Sequence, residues 1–184
     1  MPNYISLGRL ALLPLLFAFL ATGLYSVAVV VAVVVFVSDF VDGYVARRTD
    51  TESRLGAWLD PVADRCAGMA VAAGLAVSHA IPWGYLLLLV VPDVVLLLVA
   101  VLKFSGSPEV AVTKTGKART ALIFLGLATV MLGMALSEHS TDTMNLVGWG
   151  YLTAMIGLAV HYIAGVQYLT AMCHKPRHVS NVTA

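Results

Sequence analysis

Six apolar runs divide this chain, and each suits a helix crossing lipid. In hydrocarbon every backbone polar group must be satisfied within the segment, which restricts such runs to helices. They cover roughly 10–23, 25–45, 55–80, 83–104, 120–136 and 144–172, and the first extends back through the segment before Arg9. A spanning helix needs about 20 residues, so a chain of 184 residues is filled by about six of them. The expected fold is an all-α integral membrane protein: one six-span domain over residues 1–184, with no separate soluble part. Hydrophobic residues make up 60% and charged residues 11%, where a soluble domain has about 45–50% and about 25%. That balance excludes an ordinary cytosolic globule, a disordered chain and a nucleic-acid-binding protein. Cys66 and Cys173 stand far apart in no metal spacing, so neither a disulfide framework nor redox chemistry is read from them.

The charges give the orientation. With the N-terminus in the cytoplasm and six spans, every lysine and arginine lies in or near a cytoplasmic loop or terminus: Arg9, Arg47, Arg48, Arg54, Arg65, Lys103, Lys114, Lys117, Arg119, Lys175 and Arg177. The opposite turns, Thr22–Leu24, Ser78–Pro82 and Ser137–Thr143, hold Glu138, Asp142 and two histidines but no lysine or arginine. This positive-inside pattern puts both termini inside. Trp83, Trp149, Tyr25 and Tyr151 fall at the outer interface, where belt aromatics sit. The expected location is the inner (plasma) membrane, multi-pass. No basic region precedes the first apolar run, which argues against a cleaved signal peptide.

Four carboxylates border or interrupt the second and third spans: Asp39, Asp42, Asp60 and Asp64. Each charge within a bilayer costs at least about 2.5–3.5 kcal/mol on insertion scales. Asp39 and Asp42 are three apart, and Asp60 and Asp64 four apart, so each pair projects from one helix face. The second span ends and the third begins in the cytoplasm, which brings the pairs to similar depth. Four facing carboxylates without equal numbers of cations repel one another. Divalent metal resolves the repulsion, and oxygen-only ligands favour Mg²⁺, Mn²⁺ or Ca²⁺ over zinc. Two bridged ions suit phosphoryl transfer. Helix-pairing hydrogen bonds or a cation path are the alternatives that the spacing leaves open.

Residues 39–64 read Asp39-x2-Asp42-Gly43-x2-Ala46-Arg47-x8-Gly56-x3-Asp60-x3-Asp64. This resembles the signature of the CDP-alcohol phosphatidyltransferases, with every signature position filled. The resemblance implies a six-span homodimer that binds CDP-diacylglycerol at a cytoplasm-facing cavity, transfers the phosphatidyl group to an alcohol and releases CMP. It implies two divalent ions, Mg²⁺ or Mn²⁺, on Asp39, Asp42, Asp60 and Asp64, with Asp64 also the catalytic base on the acceptor hydroxyl. Asp42, Gly43, Ala46, Arg47 and Gly56 would form the CDP site. A glycine admits a ligand close to the helix backbone, and an arginine offers a fork of donors to phosphate oxygens.

For the acceptor, Asn3-x2-Ser6-x2-Arg9-x4-Pro14 and Gly116-Lys117-x-Arg119-Thr120 resemble bacterial phosphatidylglycerophosphate synthases. The second stretch is expected to join spans four and five and to bring Lys114, Lys117 and Arg119 to the membrane surface. There they would bind the phosphate of glycerol 3-phosphate, or serve as a juxtamembrane basic loop. Those synthases carry an arginine–acid pair in the fourth span, whereas this chain has Pro92-Asp93. The acceptor pocket is therefore expected to differ, and Asp93 marks a partnered or functional intramembrane site. The stretch Ser53–Arg65 followed by Ile81-Pro82-Trp83 also resembles actinobacterial members similar to cardiolipin synthases, whose acceptor is phosphatidylglycerol.

His161, inside the sixth span, reads as a packed or hydrogen-bonded histidine. Gly68, Ala72, Ala73 and Gly74 permit close helix approach, including at a dimer contact. Cys173, His174 and His178 do not align as a metal tail, because Pro176 intervenes. A cation transporter would spread its carboxylates through the membrane depth, and an inactive scaffold would not need all four signature aspartates.

Overall fold

The structure is a computed structural model that describes residues 2–49, 54–104, 114–137 and 143–174. Among the described residues it contains six helices in chain order: α1 (Pro2–Ala21), α2 (Tyr25–Thr49), α3 (Arg54–Val77), α4 (Trp83–Phe104), α5 (Lys114–Ser137) and α6 (Met144–His174). No strand occurs among the described residues. Among the described residues, three helical stretches are long and apolar enough to cross a membrane: Trp83–Leu102, Thr115–Ser137 and Met144–Met172. Leu10–Ala21 and Tyr25–Ser38 are shorter apolar helices.

The helices match the expected runs, with informative differences at their ends. The helix of α1 does extend back through Arg9, starting at Pro2, a first-turn position that suits a residue without an N–H. The start of α5 comes at Lys114, well before the expected Thr120. Lysine, alanine and arginine are good helix formers, and Thr120 Oγ1 donates to the Gly116 carbonyl at 3.2 Å. Lys114, Lys117 and Arg119 therefore belong to a helix rather than a connecting loop. Pro14 and Pro92 lie inside continuous helices.

Two tight turns join α1 to α2 and α3 to α4. After α1, Gly23 adopts φ 77°. Its N–H donates to Leu20 at 3.1 Å and that of Leu24 to Phe19 at 2.9 Å. After α3 the same pair of bonds recurs, His79 to Ala76 at 3.1 Å and Ala80 to Leu75 at 2.9 Å. Both are Schellman closures, which require a left-handed residue just past the helix. Here the second is His79, at φ 60°.

The outer surface differs from that of a soluble bundle. Large apolar side chains cover the outside, among them Phe36 on α2, Leu87 and Leu102 on α4, Leu125 on α5 and Val166 on α6. Helices that are apolar on their outward faces are solvated by lipid. Contact between them then depends on close packing rather than on a hydrophobic driving force. The core joins Leu16 and Leu20 of α1, Ala72 and Leu75 of α3, Leu89 of α4, Leu127 and Val130 of α5, and Leu158 of α6. Tyr25, expected in the outer aromatic belt, is instead buried in this core, whereas Trp83 and Trp149 are exposed.

Helices α5 and α6 make the closest contact. A Cβ added at Gly126 would collide with the backbone of Ala154, one at Gly150 would lie 2.6 Å from the Val130 nitrogen, and one at Gly157 2.8 Å from the Ile123 nitrogen. Only residues without side chains allow backbones this near. The small residues of α3 serve a similar internal purpose. A Cβ at Gly74 would sit 2.6 Å from Leu20 Cβ, one at Gly68 3.5 Å from Phe124, and Ala72 is fully buried. They close α3 against α1 and α5, so the structure uses them within one chain.

Candidate active site

The signature lies on the second half of α2 and the first half of α3. Asp39, Asp42, Gly43, Ala46 and Arg47 fall within Tyr25–Thr49, and Gly56, Asp60 and Asp64 within Arg54–Val77. Both stretches are regular helix, which keeps Asp39 with Asp42, and Asp60 with Asp64, on one face each. The side chains at 39–49 and 54–62 lie outside the described residues. Among the described residues no three histidine, cysteine or acidic side chains gather as a metal site. Asp64 is described and is exposed on α3. The donor set is oxygen-only and paired at helical spacing, a chemistry that fits hard divalent ions.

Next to Asp64 on the chain, Arg65 leads into a polar cluster built from four helices. Its Nη1 lies 3.7 Å from Asp93 Oδ1, and Arg119 Nη1 lies 3.8 Å from the same oxygen. The Arg65 side chain is 50% exposed, whereas those of Asp93 and Arg119 are 14% and 11% exposed. Arg119 Nη1 also stands 2.7 Å from His161 Nδ1, and His161 Nε2 lies 3.1 Å from the Leu89 carbonyl. Asp93 Oδ1 is buried and has no hydrogen-bond partner among the described residues.

These partners assign the imidazole tautomer. A carbonyl only accepts, so Nε2 carries the proton and donates to Leu89. An arginine only donates, so Nδ1 is the acceptor for Arg119. His161 is thus neutral, with both ring nitrogens used. Proline at 92 withholds one N–H from the α4 ladder, and one turn before it the Leu89 carbonyl takes the side-chain bond from α6. A Cβ at Gly165 would lie 3.5 Å from Pro92 Cβ, so α6 passes close to α4 at this level.

The expected basic patch is divided. Lys117 is exposed, while Arg119, two residues further on, is buried. A helix turns about 100° per residue, so these two point to different faces. Lys114 opens α5, and its side chain lies outside the described residues. The expectation that Asp93 is a partnered intramembrane carboxylate holds, with partners from α3 and α5. His161 is indeed hydrogen-bonded, and its link to Arg119 was not legible at 42 residues' separation. The available signal was that Asp93, Arg119 and His161 are all polar groups within apolar helices, which tend to seek one another.

The chain is 34% identical to a putative cardiolipin synthase of Mycobacterium tuberculosis over 174 residues, covering 93% of this chain and 81% of that protein. It is 31% identical to the CMP-forming cardiolipin synthase of Streptomyces coelicolor, with 91% and 80% covered. With CDP-diacylglycerol–glycerol-3-phosphate 3-phosphatidyltransferase 2 of Arabidopsis thaliana it shares 29% identity, with 87% and 75% covered. The family model for CDP-alcohol phosphatidyltransferase matches residues 1–166, and with the signature complete on α2 and α3 the chain belongs to that family.

Proposed function

We propose that this enzyme transfers the phosphatidyl group of CDP-diacylglycerol to glycerol 3-phosphate, forming phosphatidylglycerophosphate and releasing CMP. The observation that carries the acceptor reading is the buried polar cluster. Arg65 and Arg119 share the single carboxylate of Asp93, with His161 neutral, which leaves one surplus positive charge beside the helix that bears Asp64. An arginine pair with spare donors suits a phosphate. Lys114 and Lys117 would guide the anion from the membrane surface.

In the reaction the acceptor oxygen forms a bond to the phosphatidyl phosphorus, and the bond from that phosphorus to CMP breaks. Asp64 takes the hydroxyl proton, a role worth about 10²–10⁴ in rate. Arg47 meets the diphosphate, and Asp42, Gly43, Ala46 and Gly56 receive the nucleotide along the helix surfaces. Asp39, Asp42, Asp60 and Asp64 would hold two Mg²⁺ or Mn²⁺ ions, which when bound neutralise the diphosphate and the leaving CMP. The enzyme would work as a homodimer, spanning the plasma membrane six times with both termini and the active site on the cytoplasmic side.

A second reading takes phosphatidylglycerol as the acceptor, giving cardiolipin. The similarity to the two bacterial cardiolipin synthases favours it, because both match at higher identity over more of the chain than the Arabidopsis glycerol-3-phosphate phosphatidyltransferase described above. Both acceptors carry a phosphate and a free hydroxyl, but the diester of phosphatidylglycerol has one negative charge where the monoester of glycerol 3-phosphate has up to two, so the arginine pair matches the first reading better. The deciding experiment is CMP release by the purified protein with CDP-diacylglycerol and Mg²⁺, offering each acceptor separately. Release with glycerol 3-phosphate alone supports the first reading, and release with phosphatidylglycerol alone transfers support to the second. No release with either, in Mg²⁺ or Mn²⁺, would overturn both.

A further inference from the structure

Arg119 is held in an unusual way for a buried arginine. A long cationic side chain near a helix end normally extends toward water, and Arg119 sits only a few residues into α5. It points inward instead. Its charge partner, Asp93, stands at 3.8 Å, beyond hydrogen-bond distance. The short directional bond goes to a neutral imidazole, His161 Nδ1, at 2.7 Å. That imidazole is fixed in turn by its Nε2–H bond to Leu89, and His161 is itself only 2% exposed. One nitrogen of the guanidinium is therefore pinned from α6 through α4. Beside it, Asp93 Oδ1 is buried with no hydrogen-bond partner among the described residues.

We propose that His161 is a positioning residue for acceptor binding: it holds the Arg119 guanidinium in the cluster so that its remaining donors meet the acceptor's phosphate. This rests on the reading that Arg119 binds that phosphate. His161 touches neither the reacting phosphorus nor the acceptor, and it acts through Arg119. Its effect falls on acceptor affinity rather than on the transfer step, because Asp64 and the diphosphate site lie on α2 and α3. Glycerol 3-phosphate and the headgroup of phosphatidylglycerol both offer phosphate oxygens, so the positioning is common to both.

The test uses the full-length protein in detergent, with steady-state kinetics against glycerol 3-phosphate and, separately, phosphatidylglycerol. Asparagine can place its carbonyl oxygen near the position of Nδ1 and accept from Arg119. Glutamine reaches the Nε2 position, keeps the donor to Leu89 and lacks the Nδ1 acceptor. His161→Gln is therefore expected to raise the acceptor KM about tenfold, as for loss of one hydrogen bond to a charged group. The kcat and the KM for CDP-diacylglycerol should stay within about twofold on the same scale, and His161→Asn should restore most of the acceptor KM. The double variant Arg119→Ala with His161→Gln should be no worse than Arg119→Ala alone, since the second change acts through the first. The acceptor that shows the effect identifies the source of the phosphate.

The outcomes separate the two claims. If Arg119→Ala leaves the acceptor KM unchanged, the acceptor reading itself fails. If Arg119→Ala raises it and His161→Gln does not, the positioning proposal is wrong and the acceptor reading stands. A His161→Gln enzyme with a lower Tm and an unchanged acceptor KM marks a merely structural histidine and also overturns the proposal. So does full additivity in the double variant.

Discussion

Arg119 on α5 donates a hydrogen bond to His161 on α6 at 2.7 Å, joining two residues 42 positions apart inside an apolar bundle. The pair lies beside Asp93, the carboxylate that Arg65 also approaches. A cation, a neutral acceptor and an anion from three helices thus meet at a point that Arg65, the residue after the proposed base Asp64, also approaches. This is the point at which the packing of the bundle and the proposed acceptor site depend on the same side chains.

Removing Asp93 should expose that dependence. Asp93→Ala leaves Arg65 and Arg119 without their shared carboxylate, and breaking a buried pair costs about 3–5 kcal/mol. Arg65 is half exposed and recovers part of its solvation, so the expected loss is at the low end, about 3 kcal/mol. Thermal unfolding in detergent measures it. An unchanged Tm would show that neither arginine relies on Asp93.

The α5–α6 contact is expected to tolerate no side chain at its centre. Gly150→Leu would drive several heavy atoms into the Val130 backbone, from which even a Cβ would stand only 2.6 Å. Overpacking costs about 1–3 kcal/mol where side chains can yield, and backbone cannot yield as they do. Loss of monodisperse protein on size exclusion is the expected outcome. Gly148→Leu, at a position with nothing within 4 Å of an added Cβ, is the matched control and should behave as wild type. Equal behaviour of the two variants would contradict the close approach.

His79 should be improvable. Its φ of 60° is costly for a residue with a Cβ, by about 1–2 kcal/mol, and glycine is free of that cost. Glycine also loses more chain entropy on folding, about 0.5–1 kcal/mol. His79→Gly is therefore expected to raise stability by up to about 1 kcal/mol. His79→Val should lower it, because a β-branched residue disfavours this region further. A lower Tm for the glycine variant would refute the left-handed closure.

Asp64→Asn should remove the proposed base while keeping its shape. CMP release is expected to fall about 10²–10⁴-fold with an unchanged Tm. Chelation of divalent ions should abolish turnover of the wild type, and added Mg²⁺ or Mn²⁺ should restore it. Wild-type turnover in Asp64→Asn would remove this residue from the mechanism.

Much of this protein follows from local pattern. Apolar runs of spanning length have few alternatives to helices in lipid, because the backbone must bond to itself. All six helices coincide with those runs, and the signature from Asp39 to Asp64 is carried by spacing along two consecutive helices. Helix ends were less legible. The start of α5 at Lys114 and the turn at His79 depend on local hydrogen bonds that hydropathy does not register.

Which polar groups meet was decided only by the tertiary structure. Asp93, Arg119 and His161 each stand out as polar residues in apolar helices, and that much is visible from composition alone. Their convergence requires α4, α5 and α6 to pack at one depth and rotation. Glycines at 126, 150 and 157 permit that by letting backbones approach. The division of Lys117 from Arg119 has the same origin: helix rotation turns one outward and the other inward, and neighbouring helices choose which. Sequence sets what each segment must be in lipid, whereas the pairing of charges across helices is a property of the assembled bundle.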